Sequence, residues 1–147
     1  MFRRAVLLLL LLAPLPSLAH ADAAADAALA VMDRFLAAFN ARDMAAWADT
    51  LLYPHVRFAD GKVTVYPDRT SFMAGNRLEA LAAREGWDHS TWDAREVVQE
   101  SPTKVHIATV FSRYRADGTR YASYQSLYIV EKVDGNWGIR ARSSFAP

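Results

Sequence analysis

The stretch that decides the fold is 91-TWDAREVVQESPTKVHIATVFSRYRADGTRYASYQSLYIVEKVDGNWGIRARSSF-145, where apolar and polar residues alternate with a period of two. Ser101-Pro102, Asp117-Gly118 and Asp134-Gly135 cut it into Trp92–Glu100, Thr103–Arg115, Thr119–Lys132 and Asn136–Phe145. These junctions are short and carry turn chemistry, so each segment should return antiparallel to the one before it. The pattern predicts a four-strand meander. Its strands are long against a usual length of about 5–6 residues, and long twisted strands curl.

Upstream of the meander, Val56–Ala59 and Lys62–Tyr66 flank Asp60-Gly61, the signature of a further hairpin. Earlier still, Leu29, Met32, Leu36 and Phe39 fall at spacings of three, four and three, an apolar stripe on a helix over 22–41. Asp43 caps a second short helix with Met44, Trp47 and Leu51 on its apolar face, and Pro54 stops it. After the hairpin, Asp68, Thr70 or Ser71 caps a third helix running to about Arg84. Phe72, Met73, Leu78 and Leu81 are its apolar residues, Gly75 sits in its middle and Gly86 ends it. The expected fold is therefore α+β. A cone-shaped, strongly curved antiparallel sheet, made of the four-strand meander plus the N-terminal hairpin, packs against three helices.

Composition narrows the function by exclusion. The 147 residues are 52% hydrophobic with a formal net charge of +1, too apolar and balanced for a disordered chain and without a nucleic-acid binder's basic excess. The absence of cysteine removes disulfides, thiolate metal sites and a cysteine nucleophile. Residues 1–21 read as a secretory signal peptide. Arg3 and Arg4 precede six leucines at 7–12, and Ala19-His20-Ala21 offers a small-x-small cleavage site. That apolar run is shorter than the roughly 20 residues a membrane span needs, so no stable anchor is expected after cleavage. Residues 22–147 then form a single periplasmic or secreted domain with 15 basic and 16 acidic side chains.

The order helix, short helix, hairpin, helix, four-strand meander resembles the nuclear-transport-factor-2-like superfamily, with its SnoaL-like and ketosteroid-isomerase-like folds, in an uncharacterised secreted branch. The resemblance begins at Asp33-Arg-Phe-Leu-Ala-Ala-Phe-Asn-Ala-Arg-Asp43 and ends at Asp134-Gly-Asn-Trp-Gly-Ile139. It implies a pocket between the inner sheet face and the helices, and a homodimer through the outer face. The isomerases' three working positions fall on Phe35, near Phe58 with Asp60 two residues away, and on or near Ser126. Their proton-transfer machinery is therefore not carried over.

Alternation assigns strand faces. In the last strand Trp137, Ile139, Ala141, Ser143 and Phe145 should face the helices. Arg140 and Arg142 should face outward, where they are not buried without partners. The preceding strand should turn Tyr124, Ser126 and Tyr128 inward, and the one before it His106, Ala108, Val110, Ser112 and Tyr114. Singly, such aromatics read as core fillers. As a set, with hydroxyls and small residues among them, they read as a pocket wall. The expected ligand is a small hydrophobic or aromatic molecule lined by Trp47, His55, Trp92, His106, Tyr114, Tyr124, Ser126 and Ser143.

Two rival readings start from the same residues. One is a cofactor-free acid/base enzyme of isomerase, cyclase or lyase type, with His55 or His106 as base and Tyr114 or Tyr124 as donor. The other is a dimeric interaction module working through an outer face that bears Leu127, Ile129, Arg140 and Arg142. His55, His89 and His106 lack the close spacing of metal ligands, so no metal is expected. No cofactor is expected either: zinc-protease, nucleophile-elbow, P-loop and dinucleotide motifs are all missing from the sequence.

Overall fold

The computed structural model describes residues 18–146, with side chains from residue 23. The apolar run of the predicted leader lies outside the described residues. Helix α1 (Leu18–Asn40) starts ahead of the predicted cleavage point. It buries Ala24, Ala28, Val31, Met32, Phe35 and Ala38, while Leu29, Leu36 and Phe39 are only half-buried. The buried stripe is thus rotated towards the alanines, whose small side chains let the helix sit close on the sheet.

Asp43 caps α2 (Met44–Ala48), its carboxylate accepting from the Ala46 N–H at 2.9 Å. The helix ends three residues before Leu51, because the Thr50 hydroxyl donates to the Trp47 carbonyl at 2.7 Å and turns the chain into β1 (Leu51–Ala59). Strand β2 (Lys62–Tyr66) follows a turn in which Asp60 and Gly61 both have positive φ, the geometry an Asp-Gly hairpin uses. The single helix predicted next is two. Helix α3 (Arg69–Gly75) opens with a capping box between Asp68 and Ser71, and α4 covers Leu78–Glu85. Between them Asn76 is extended and its side-chain amide donates to the Phe72 carbonyl at 2.8 Å. Among the described residues four helices, not three, roof the sheet.

The meander is β3 (His89–Ser101), β4 (Lys104–Tyr114), β5 (Arg120–Val133) and β6 (Asn136–Ser144). The six strands form one curved, unclosed sheet in the order β2-β1-β6-β5-β4-β3, antiparallel except where β1 meets β6. Its concave face packs on the helices, with Val105, Ile107, Val130 and Ile139 fully buried beneath α1 and its neighbours.

One irregularity decides what the cone contains. Nine residues of β6 oppose eight of β5, because Ile139 pairs with Val130 and Ala141 with Ile129, leaving Arg140 as the extra residue of a β-bulge. Before the bulge, Trp137 and Ile139 point inward as expected. After it the phase inverts. Arg142 and Ser144 turn into the cone, whereas Ala141, Ser143 and Phe145 face out, with Phe145 80% exposed. The expectation that Arg142 lies outside and Ser143 inside is corrected by that one residue.

The faces of β4 are corrected too. Val105, Ile107, Thr109, Phe111 and Arg113 are buried on the inner side, and His106, Ala108 and Val110 lie on the other. Both sets are largely small or apolar, and the bulkier β-branched set takes the core. His106 pairs through Nδ1 with the Gln99 side chain at 2.8 Å on the outer face.

Candidate functional site

A row of directly opposed residues crosses the concave face: Arg57 on β1, Arg142 on β6, Tyr128 on β5 and Ile107 on β4. Above it lies a cavity of about 160 Å³. Phe35 and Phe39 of α1, Trp47 of α2, Phe72 of α3, and Leu78 and Leu81 of α4 form its apolar walls. Its floor is His55, Arg57, Arg113, Tyr128, Ile139 and Arg142. A smaller space of about 20 Å³, bordered by Trp92 and Phe111, adjoins it through Phe35, Phe39, Arg113, Tyr128 and Arg142.

Five arginines therefore border one chamber, Arg57, Arg113 and Arg142 on its sheet floor and Arg77 and Arg84 on the side of α4. The Arg142 Cζ lies 5.4 Å from the Phe111 ring centroid and 5.3 Å from that of Tyr128. Its Nη2 donates to the Ser144 hydroxyl at 3.0 Å, and its buried Nε has no partner. Burial, with repulsion from Arg57 and Arg113 partly offset by Tyr128, pulls its pKa below the ordinary arginine value. Arg57 also has a buried, unpartnered Nε. Among the described residues neither Arg57 nor Arg142 has a carboxylate within 4.0 Å.

Arg113 differs. It is 5% exposed, and its Nη1 lies 2.5 Å from the Glu85 carboxylate. Glu85 also accepts from the Tyr121 hydroxyl at 3.0 Å and from Arg84 at 2.9 Å. Burial raises the Glu85 pKa, but the donors from Arg84, Arg113 and Tyr121 outweigh it and the net shift is downward. Burial and that neighbouring carboxylate push Tyr121 up to about 12. Of Arg57, Arg113 and Arg142, only Arg113 is paired with a carboxylate among the described residues.

His55 is 4% exposed, and its Nδ1 lies 3.1 Å from the Ile139 carbonyl oxygen. A carbonyl only accepts, so Nδ1 carries the proton and Nε2 is left as an acceptor. Burial lowers the His55 pKa to about 4, so the ring is neutral at pH 7. The Trp47 indole N–H is buried without a partner on the cavity wall, and that of Trp92 is unpartnered beside the smaller space.

Of the residues expected to line a ligand, Trp47 and His55 border the main cavity and Trp92 the smaller one. Tyr124 is inward but lies behind Arg113, whose Cζ is 5.3 Å from its ring. Ser126 is buried and donates to the Ser144 hydroxyl at 2.8 Å. Three residues are elsewhere. Ser143 and His106 are on the outer face, and Tyr114 stacks on His89 at 5.0 Å at the end of the β3–β4 ladder. The three histidines are accordingly dispersed, and no group of His, Asp or Glu suited to a metal occurs among the described residues.

Sequence reasoning missed Arg57, Arg113 and Arg142. For Arg113 the signal was present in its phase with Val105, Ile107 and Phe111. Arg142 was hidden by the bulge.

A curved, unclosed sheet roofed by helices defines the class: an α+β cone of the nuclear-transport-factor-2-like kind. The family model described as NTF2-like protein (DUF6841) matches residues 25–145, and the chain belongs to that family. No curated protein matches it. Among solved structures, it is similar to a protein of unknown function with a cystatin-like fold from Nostoc punctiforme. That match has 11% identity and a TM-score of 0.68, covering 82% of this chain and 89% of that one. Aln2 from Streptomyces sp. is similar at 18% identity and a TM-score of 0.66, covering 90% and 94%. A ketosteroid isomerase-like protein from Erwinia carotovora aligns at 22% identity and a TM-score of 0.59, covering 83% and 96%. At these identities the likeness is one of fold.

Proposed function

We propose that this protein is an exported small-molecule-binding domain whose ligand lodges in the cone between the four helices and the concave sheet face. The observation that carries this reading is the chamber itself. Aromatic and aliphatic walls meet an arginine-rich floor and rim, and buried polar atoms there, among them the Trp47 Nε1 and the Nε atoms of Arg57 and Arg142, have no partner among the described residues. Buried donors are ordinarily satisfied, and a ligand would satisfy these. A dry engineered cavity of roughly 150 Å³ takes benzene, so the space suits one ring or a compact aliphatic group.

Binding fits the geometry better than acid/base catalysis. A histidine with a pKa of about 4 is a weak base at neutral pH, and His106 lies across the sheet from the chamber. Dimerisation through the outer face belongs to the same proposal. Phe58, Val63, Val65 and Phe145 are exposed there, an apolar surface suited to a second copy.

A thermal-shift panel of single-ring compounds tests the ligand reading, with Leu81→Trp as the control that fills the chamber. Panel members should raise the Tm of the wild-type chain and not that of Leu81→Trp. An equal response from both would place binding elsewhere. No response from the wild type would remove the proposal.

A further inference from the structure

We infer that the ligand is an organic carboxylate, its carboxylate gripped by Arg57 and Arg142 and its apolar body against the aromatic wall. This rests on the reading of the chamber as a ligand site.

The argument is one of charge and register. Arg57 and Arg142 are direct partners on adjacent strands, a placement in which like charges repel. Within the chain only the Arg142 bond to Ser144 and its ring contacts offset that repulsion, and an anion standing between the two arginines would relieve it. Glu85 does not serve: it is bonded to Arg113, Arg84 and Tyr121. Arg142 uses one donor on a neutral hydroxyl, and no side-chain hydrogen bond of Arg57 occurs among the described residues. A planar carboxylate matches the guanidinium fork and accepts from both arginines at once. The Trp47 N–H on the opposite wall and the neutral His55 add no competing negative charge.

The surroundings favour the same class. The aromatic and aliphatic residues of the helix side offer packing that a bare inorganic anion would leave unused, and the volume is too small for a large polyanion. Outside the chamber, Arg57 and Arg84 also border an open polar recess of about 470 Å³ with Lys62, Asp60 and Glu85. Three cations against two carboxylates give this approach a positive balance, which favours an incoming anion.

Isothermal titration of the full domain with phenylacetate, phenylacetamide and phenylphosphonate separates the possibilities. Phenylacetate should bind at least about tenfold tighter than phenylacetamide, the scale of hydrogen bonds to a charged group. In Arg142→Gln that preference should fall to near unity while phenylacetamide binding persists. Arg57→Gln provides the same readout should Arg142→Gln not fold. Equal binding of acid and amide, or tighter binding of the phosphonate, would overturn the carboxylate assignment and leave the ligand site standing. If none of the three binds, the ligand reading falls and this inference with it.

Discussion

Replacing Arg142 with methionine should make the ligand-free protein more stable and the ligand-exposed protein relatively less so. Methionine keeps most of the aliphatic stem that packs between Phe111 and Tyr128 while removing the charge. Burying an ion costs several kcal/mol even after relaxation. Against that stand one charge-assisted hydrogen bond of about 1.5–3 kcal/mol and two cation–π contacts of about 1 kcal/mol each. Ser144 is not orphaned by the change, because the Ser126 hydroxyl donates to it at 2.8 Å and the Ala146 N–H at 3.1 Å. The expected direction is a gain in ligand-free stability, each ~1 kcal/mol of which is worth roughly 3–5 °C in Tm for a domain of this size. Urea denaturation followed by circular dichroism should show a higher midpoint at unchanged slope. With phenylacetate at a hundred times the wild-type Kd the wild type gains about 2.7 kcal/mol and a variant binding tenfold more weakly about 1.4 kcal/mol, so the variant's advantage falls by about 1.3 kcal/mol. A ligand-free variant weaker than wild type by more than about 1 kcal/mol would show the guanidinium to be a structural strut and refute the reasoning.

Three further outcomes are expected. His55 has a folded pKa of about 4 against 6.5 when unfolded, so the unfolded chain binds the extra proton between those values. Its contribution of roughly 3 kcal/mol is complete above pH 6.5 and lost as pH falls towards 4; chemical denaturation from pH 7 to 4.5 should slope less steeply for His55→Gln, and parallel slopes would contradict the assignment. Phe58→Lys with Phe145→Lys should yield a monomer by sedimentation velocity if the exposed outer face joins two copies, and an unchanged mass distribution would exclude that face. Mass spectrometry of the protein from the exported fraction should find a chain beginning at Asp22, whereas an intact leader would contradict export through signal cleavage.

The parts of the fold legible in the sequence are those governed by local chemistry. Asp60-Gly61 and Asp134-Gly135 place two residues at positive φ, as hairpin turns of this kind require, and all four meander strands end within a few residues of their predicted limits. The break between α3 and α4 was half-visible in Gly75, but only the Asn76 side chain bonding back to Phe72 shows that the helix stops. The site was less legible because a period-two reading assumes an unbroken ladder. Arg140 adds one residue to β6, so Ser143 and Arg142 exchange faces, and with them the chamber changes from a neutral aromatic pocket to a cationic one. The rule against burying unpaired arginines led the reading astray at the very position where the structure breaks it. Such a violation is expected where an inward charge awaits a partner from outside the chain.

The most direct test is a crystal structure of the protein grown with phenylacetate. The account predicts electron density for the acid inside the cone, its carboxylate within hydrogen-bonding distance of both Arg57 and Arg142 and its ring against Trp47 and Phe72. A chamber filled only by rearranged side chains, or the acid bound on the convex face, would contradict it.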